Sequence, residues 1–410
     1  MNKLTRYFML GLWLMLPSHS ACASVESWME KLDESLSVQS PGGFFRADLS
    51  GAFDFEVYGV EGQAPGLIFG DESFVNPRLA LFLDTRLGDH LYGFLQARID
   101  RGIDPRVKKQ DARLDEYVLG YRPLEDGRLK LQVGKFATVM GNWVRRHMSW
   151  DNPFVTEPVP YNNFTVINDQ RVLGGPAALL SLRQIPDNKR KWLPVLWGPV
   201  YTTGASVSGR LAKFDYAFAI KNASPSSRPA VWRASQRTWQ DPTYSGRLGF
   251  RPNELWDMGL SASYGPYLLE GARATLSPNT ELDDYPQWVL AQDVSFSRHR
   301  LEVWAEVFLS RFDVPNVGHA DTLAYYLEAK YKLPQGFFLA ARWNQQLFGK
   351  VQDGAGGEKA WDRNMFRTDF SLGYRITRHL QAKLQYSFSH QKGERQQGQN
   401  LGVAQITARF

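Results

Sequence analysis

Beyond residue 44 the chain alternates between apolar and polar positions. In 45–57 the odd positions hold Phe45, Ala47, Leu49, Gly51, Phe53, Phe55 and Val57, and the even ones Arg46, Asp48, Ser50, Ala52, Asp54 and Glu56. A period of two places these sets on opposite faces of a β-strand. One such strand would suit a soluble sandwich equally well; the repetition discriminates. Leu79, Leu81, Leu83 and Leu87 alternate with Arg78, Phe82, Asp84 and Arg86, and Leu91, Gly93, Leu95, Ala97 and Ile99 with His90, Tyr92, Gln96, Arg98 and Asp100. The segments 301–310 and 380–389 repeat the pattern. Each run is about ten residues, the length of a tilted membrane strand.

The pattern predicts strands at 44–58, 74–87, 90–100, 113–122, 128–138, 201–211, 214–223, 242–251, 256–265, 287–297, 301–312, 321–332, 337–347, 365–376, 379–389 and 401–410. The least regular is 287–297, where Gln292 and Asp293 fit neither face. Connections sort by length. Short ones fall near 88–89, 123–127, 212–213, 252–255, 298–300, 333–336 and 377–378. Long ones fall at 59–73, 101–112, 139–200, 224–241, 266–286, 313–320, 348–364 and 390–400. Short turns at one end and long loops at the other are the rhythm of an outer-membrane barrel; a sandwich has no reason to sort its loops. The expected fold is all-β: a transmembrane antiparallel β-barrel of about 16 strands over residues 41–410.

Residues 1–23 fit a secretory signal, which export to a Gram-negative outer membrane requires. Lys3 and Arg6 precede the apolar run Tyr7 to Leu16, and Ala21-Cys22-Ala23 forms the cleavage site. The run is too short for the roughly 20 residues of a membrane helix. A lipoprotein reading would acylate Cys22, but His19-Ser20-Ala21 is a poor approach to such a site. Cleavage removes the only cysteine, and with it any disulfide or thiolate chemistry. In 24–40, Val25, Trp28, Met29, Leu32 and Leu36 follow helical spacing, with Glu26, Glu30, Lys31, Asp33 and Glu34 on the other face. A short N-terminal periplasmic helix is expected, which would pair with neighbours, enter the barrel mouth or trail loosely.

The formal charge of +6 falls to +4 when Lys3 and Arg6 leave with the signal, a bias too mild for nucleic-acid binding. Aromatic residues make up 13% of the chain, and many fall near predicted strand ends: Phe44, Tyr58, Tyr121, Tyr201, Phe250, Trp256, Tyr264, Tyr331, Phe337, Tyr374 and Phe410. Rings there suit the headgroup girdles of a barrel, although strands are rich in aromatics anyway.

Candidate chemistry concentrates in the longest loop, 139–200. It carries Arg145, Arg146, Arg171, Arg183, Lys189, Arg190 and Lys191 against Asp151, Glu157, Asp169 and Asp187. Its Trp, Phe and Leu content argues against disorder, and a loop of this length is usually functional. It is expected to fold inward and narrow a pore; the alternative is an outward loop packed on its neighbours. Together with lumen-facing strand positions, the pore-constriction candidates are Arg145, Arg146, His147, Asp151, Arg78, Arg98, Arg247, Arg342, Lys383 and Glu306. Rings of Arg and Lys favour anions, so the modest basic excess suggests weak anion preference; ion pairs without net selectivity would look the same. Arg228, Trp232, Arg233, Arg237 and Trp239 form a second basic-aromatic cluster, suited to sugar rings, anionic groups or lipopolysaccharide.

Enzymatic chemistry finds little support. The mature histidines, His90, His147, His299, His319, His379 and His390, make no pair at metal-ligand spacing. No G-x-S-x-G occurs. No catalytic residue, metal site or cofactor is assigned. A lipid-modifying or proteolytic barrel, whose residues would converge only in space, would betray itself by turnover lost in His147→Ala.

At Leu114-Asp115-Glu116-Tyr117-Val118 and Leu131-Gln132-Val133-Gly134-Lys135-Phe136 the chain resembles outer-membrane porins related to the phosphate-selective O/P type. The motif covers about residues 113–140, and 143–163 departs from the phosphate-binding pattern. The resemblance implies the barrel fold and a channel passing small hydrophilic or anionic solutes by diffusion, not phosphate specificity. It also implies outer-membrane lipid as surroundings and a homotrimer as the assembly. The alternative is an outer-membrane conduit for saccharide export or for a partner protein held in the lumen.

Overall fold

The computed structural model describes residues 26–32, 35–61, 73–101, 111–183, 192–230, 239–392 and 399–410. The signal segment and Lys189, Arg190, Lys191, Asp187, Trp232, Arg233 and Arg237 lie outside them. Sixteen long strands follow one another: β1 (Phe45–Glu61), β2 (Phe74–Leu87), β3 (Leu91–Asp100), β4 (Asp111–Tyr121), β5 (Lys130–Phe136), β6 (Thr202–Leu211), β7 (Phe214–Lys221) and β8 (Thr243–Phe250). They continue as β9 (Trp256–Pro266), β10 (Pro286–Arg298), β11 (Leu301–Val314), β12 (Gly318–Lys332), β13 (Phe337–Phe348), β14 (Met365–Arg375), β15 (Leu380–Gln391) and β16 (Gln399–Arg409). Each pairs antiparallel with the next, and β16 pairs with β1, so the sheet closes into a barrel with no free edge.

The seam sets Ala52 opposite Arg409 and Glu61 opposite Asn400. The backbones of Gly51 and Phe410 exchange hydrogen bonds of 2.9 and 3.0 Å. The Phe410 ring lies over Gly51, where a Cβ would come within 2.4 Å of it. Past Phe410 the edge of β1 is continued by a three-residue strand, Ser37–Gln39, paired with Arg46, Ala47 and Asp48. The helix over 26–32 precedes it, with Glu30 ion-paired to Arg378 at the short-turn end.

Alternation becomes two surfaces. Phe53, Phe55, Leu260, Leu327, Leu339 and Phe370 are exposed on the outside; Asp54, Glu56, Glu306, Glu328, Arg342 and Asp369 are buried within. The irregularity in β10 resolves into the same parity: Asp293 faces in and is buried, while Gln292 stays outside, exposed. Strand limits agree with expectation to within a few residues, with one visible consequence. The expected long connection 313–320 shrinks to the turn 315–317, because β11 and β12 pair out to Val314 and Gly318.

The girdle expectation needs two corrections. Phe44, Tyr121, Phe250, Trp256, Tyr264 and Tyr331 are exposed, and Phe337 stacks on Tyr374 at 4.2 Å. Tyr58 and Tyr201 are buried instead. Tyr58 has inward parity and stacks on Phe74 at 4.5 Å; Tyr201 sits where the long loop rejoins the wall and packs against His147. Among the described residues no helix is long and apolar enough to cross a membrane.

Candidate functional site

The described parts of the segment between Phe136 and Thr202, 137–183 and 192–201, dock on inward-facing residues of the wall. A turn at Gly141, φ +71°, makes the first contact; a Cβ there would lie 2.5 Å from Glu306 Oε1 and 2.7 Å from Tyr161 Oη. Without one, the N–H groups of Asn142 and Trp143 donate to Glu306 Oε1, the latter at 3.0 Å, and the Tyr161 hydroxyl donates to Oε2 at 2.7 Å. Lys383 Nζ donates to the carbonyls of Ser149 (2.6 Å), Asn152 (3.0 Å) and Phe154 (3.3 Å). Lys221 Nζ ties both loop ends together, donating to Phe136 O at 2.5 Å and Val200 O at 3.4 Å. Arg342 donates to Thr156 O at 2.9 Å, and Arg367 to Glu157 O. Gln385 and Asn344 accept from the N–H groups of Val155 and Val159. A loop inside a barrel exposes backbone groups that need partners; the polar faces of β11 and β13–β15, with β7, supply them.

Apolar packing adds to this. Met140, Trp143, Val144 and Tyr161 pack on Val289 and Phe308 of the wall. Ile167, Leu179 and Trp197 join Tyr267, Phe312 and Trp361 in a second core at the long-loop end of the barrel.

The opposite wall, β1–β4, is left facing the loop across a cavity of about 170 Å³. Its charges are paired along the wall. Arg78 reaches Asp54 and Glu56, each at 2.8 Å. Arg98 reaches Asp100 at 3.0 Å, and Arg113 bridges Asp100 and Asp115, the latter at 2.7 Å. A register shift opposite Gln96 and Ala97 accommodates one extra residue in β4, and there Asp115 turns inward to Arg113. From the loop side Glu157 faces this wall. Burial pushes its carboxyl up to about 7, against the pull of Arg98 and Arg78.

The ten residues expected at a constriction therefore separate. Arg78 and Arg98 line the cavity. Glu306, Arg342 and Lys383 hold the loop, and so does Arg146, which pairs with Glu328 and lies 4.2 Å over Trp304. His147 is inside the loop, between Val144 O (2.5 Å) and Tyr201 Oη (2.7 Å); burial lowers its ring to about 4. Arg247 is enclosed by Asp293, Asp215 and Asp257. Arg145 is half-exposed near Asp215 and Asp257. Asp151 is exposed at a vestibule of about 750 Å³ that also contains Glu30, Arg378 and Arg409. Arg228 packs 5.0 Å over Trp197, and Trp239 is exposed.

Sequence reasoning passed over Arg113, Asp115, Glu157 as a lining group, and Lys221. Arg113 stood at the first position of its expected strand, and the bulge that aims Asp115 leaves no mark on the alternation. Lys221, a lone lysine at a strand end, gave no signal of its own.

No protein-family model matches the sequence, and no curated protein matches it. Solved structures do share the fold. An anion-selective porin from Comamonas acidovorans superposes with a TM-score of 0.56 at 12% identity, over 89% of this chain and 100% of that one. The outer membrane channel DcaP of Acinetobacter baumannii gives 0.56 at 11% identity, over 91% and 99%. OmpF of Salmonella typhi, in complex with daunomycin, gives 0.54 at 11% identity, over 91% and 100%.

Proposed function

We propose that this barrel, with the fold of the outer-membrane porins, is a passive diffusion channel in a Gram-negative outer membrane for small hydrophilic solutes. The observation that supports this reading is the loop clamped by Glu306, Lys221 and Lys383, which leaves a polar cavity beside Arg78 and Arg98. Charge can sit in this lumen where on the lipid face it would cost about 2–4 kcal/mol. Ion selection is weak in this reading. The lining guanidinium groups are paired, while buried ammonium groups hold carbonyls rather than carboxylates and leave a slight anion preference. The volume taken by the loop favours small solutes over a polypeptide threaded through the lumen.

Purified protein alone in a planar bilayer should carry ionic current, with a small reversal potential in a salt gradient on the anion side. Silence without a partner would favour the conduit reading, and clear cation preference would overturn the charge argument. A homotrimer, common among such barrels, would appear as a three-fold mass in native mass spectrometry. No catalytic role is assigned: His147→Ala should disturb loop packing and confer or remove no turnover.

A further inference from the structure

The cavity carries chemistry that an indifferent pore does not need. Three of its guanidinium groups are already engaged with carboxylates on their own wall, Arg78 with Asp54 and Glu56, Arg98 with Asp100, and Arg113 with Asp100 and Asp115, while Arg101 lies 4.9 Å over the Phe74 ring. A carboxylate or phosphate entering here would have to displace a partner from a charge-assisted pair. Three buried acceptors have no hydrogen-bond donor: Asn76 Oδ1, Glu157 Oε2 and Asp115 Oδ2, the last with Arg98 Nη1 at 3.8 Å, an ion pair beyond hydrogen-bond reach. Buried acceptors without donors are rare, and each is unfavourable until a donor arrives. The three stand on both sides of the passage, Asn76 and Asp115 on β2 and β4 and Glu157 on the loop. Between them Arg78 and Arg98 carry five N–H donors per guanidinium, not all used by their carboxylates.

A solute that suits such walls must donate and accept at closely spaced points and carry no net charge. Hydroxyl groups on adjacent carbons do this. The available space, about 170 Å³, corresponds to roughly six waters at about 30 Å³ each. Phe74, Pro199 and Pro229 supply apolar surface for C–H groups. We propose that the cavity beside Arg78, Asp115 and Glu157 is a binding subsite for a neutral polyhydroxylated solute of monosaccharide size, and that it disfavours the carboxylated analogue. This rests on the diffusion-channel reading and names the solute class of that passage.

The test uses the full mature chain in planar bilayers, with D-glucose and D-glucuronate as probes. Wild-type current should fall saturably with glucose, beyond the change in bulk conductivity, and show no saturable response to glucuronate. In Glu157→Met, compared with wild type above pH 8 where this carboxyl is charged, the half-saturating glucose concentration should rise about tenfold or more, the scale of one hydrogen bond to a charged group. Asn76→Leu, on the other wall, should weaken the response in the same direction. A current that tracks bulk conductivity alone, or a stronger response to glucuronate than to glucose, would overturn the subsite. A chain that carries no ionic current would overturn the diffusion reading itself, which is a different result from a conducting channel indifferent to glucose.

Discussion

Lys383 offers the sharpest test of how the lumen is built. Its ammonium is fully buried and donates to three carbonyls of the inward loop, Ser149 at 2.6 Å, Asn152 at 3.0 Å and Phe154 at 3.3 Å. Lys383→Met keeps the chain length and removes every donor. A hydrogen bond to a charged group contributes about 1.5–3 kcal/mol. The relief of no longer burying an ammonium offsets part of the three, so docking of this stretch should weaken by about 2 kcal/mol. At 1.4 kcal/mol per factor of ten, the undocked population rises roughly 30-fold. Single-channel recording at fixed voltage reads this directly as greater open-channel noise and a larger mean conductance. Retention of a compact barrel on unheated gels shows that the wall is intact. A quiet channel of wild-type conductance would refute the clamp. A barrel that no longer folds would mean that Lys383 holds the wall rather than the loop.

Glu306→Ala leaves two buried backbone N–H groups and the Tyr161 hydroxyl without an acceptor, at about 1–3 kcal/mol for each such group; it should reproduce the noisy channel, measured in the same way. Glu157, with its carboxyl raised to about 7 by burial, is neutral below that pH and charged above it. Its contribution to loop docking is complete below about pH 4.5 and lost as pH rises through about 7. Reversal potentials should accordingly drift toward cations between pH 6 and 8, by a drift that Glu157→Gln removes. Gly51→Val places a side chain inside the Phe410 ring, where even a Cβ would be 2.4 Å away. Overpacking of this kind costs about 1–3 kcal/mol and should lower the temperature at which the barrel unfolds on heated gels. Phe370→Lys, at the middle of β14 on the outside, should cost about 2–4 kcal/mol. It is read as reduced folding yield into liposomes, whereas Ser371→Ala on the inner face should leave that yield unchanged.

The alternation of residues by itself determined the barrel. A membrane admits strands only as a closed sheet with one greasy face, so a period of two, repeated at membrane length, leaves few other outcomes. Phe53 and Phe55 against Asp54 and Glu56 carry that information within four positions. Loop lengths likewise singled out 139–200 as the longest connection. What alternation could not convey was which inward charges meet. Lys383 and Ser149 stand 234 residues apart, and Glu306 and Asn142 164 apart. Inward parity is shared by clamps such as Lys383, by enclosed groups such as Arg247 and by lining groups such as Arg98. Only closure of the sheet, the bulge at Asp115 and the positive φ of Gly141 assign these roles, because each depends on the distance between distant strands rather than on the pattern along one.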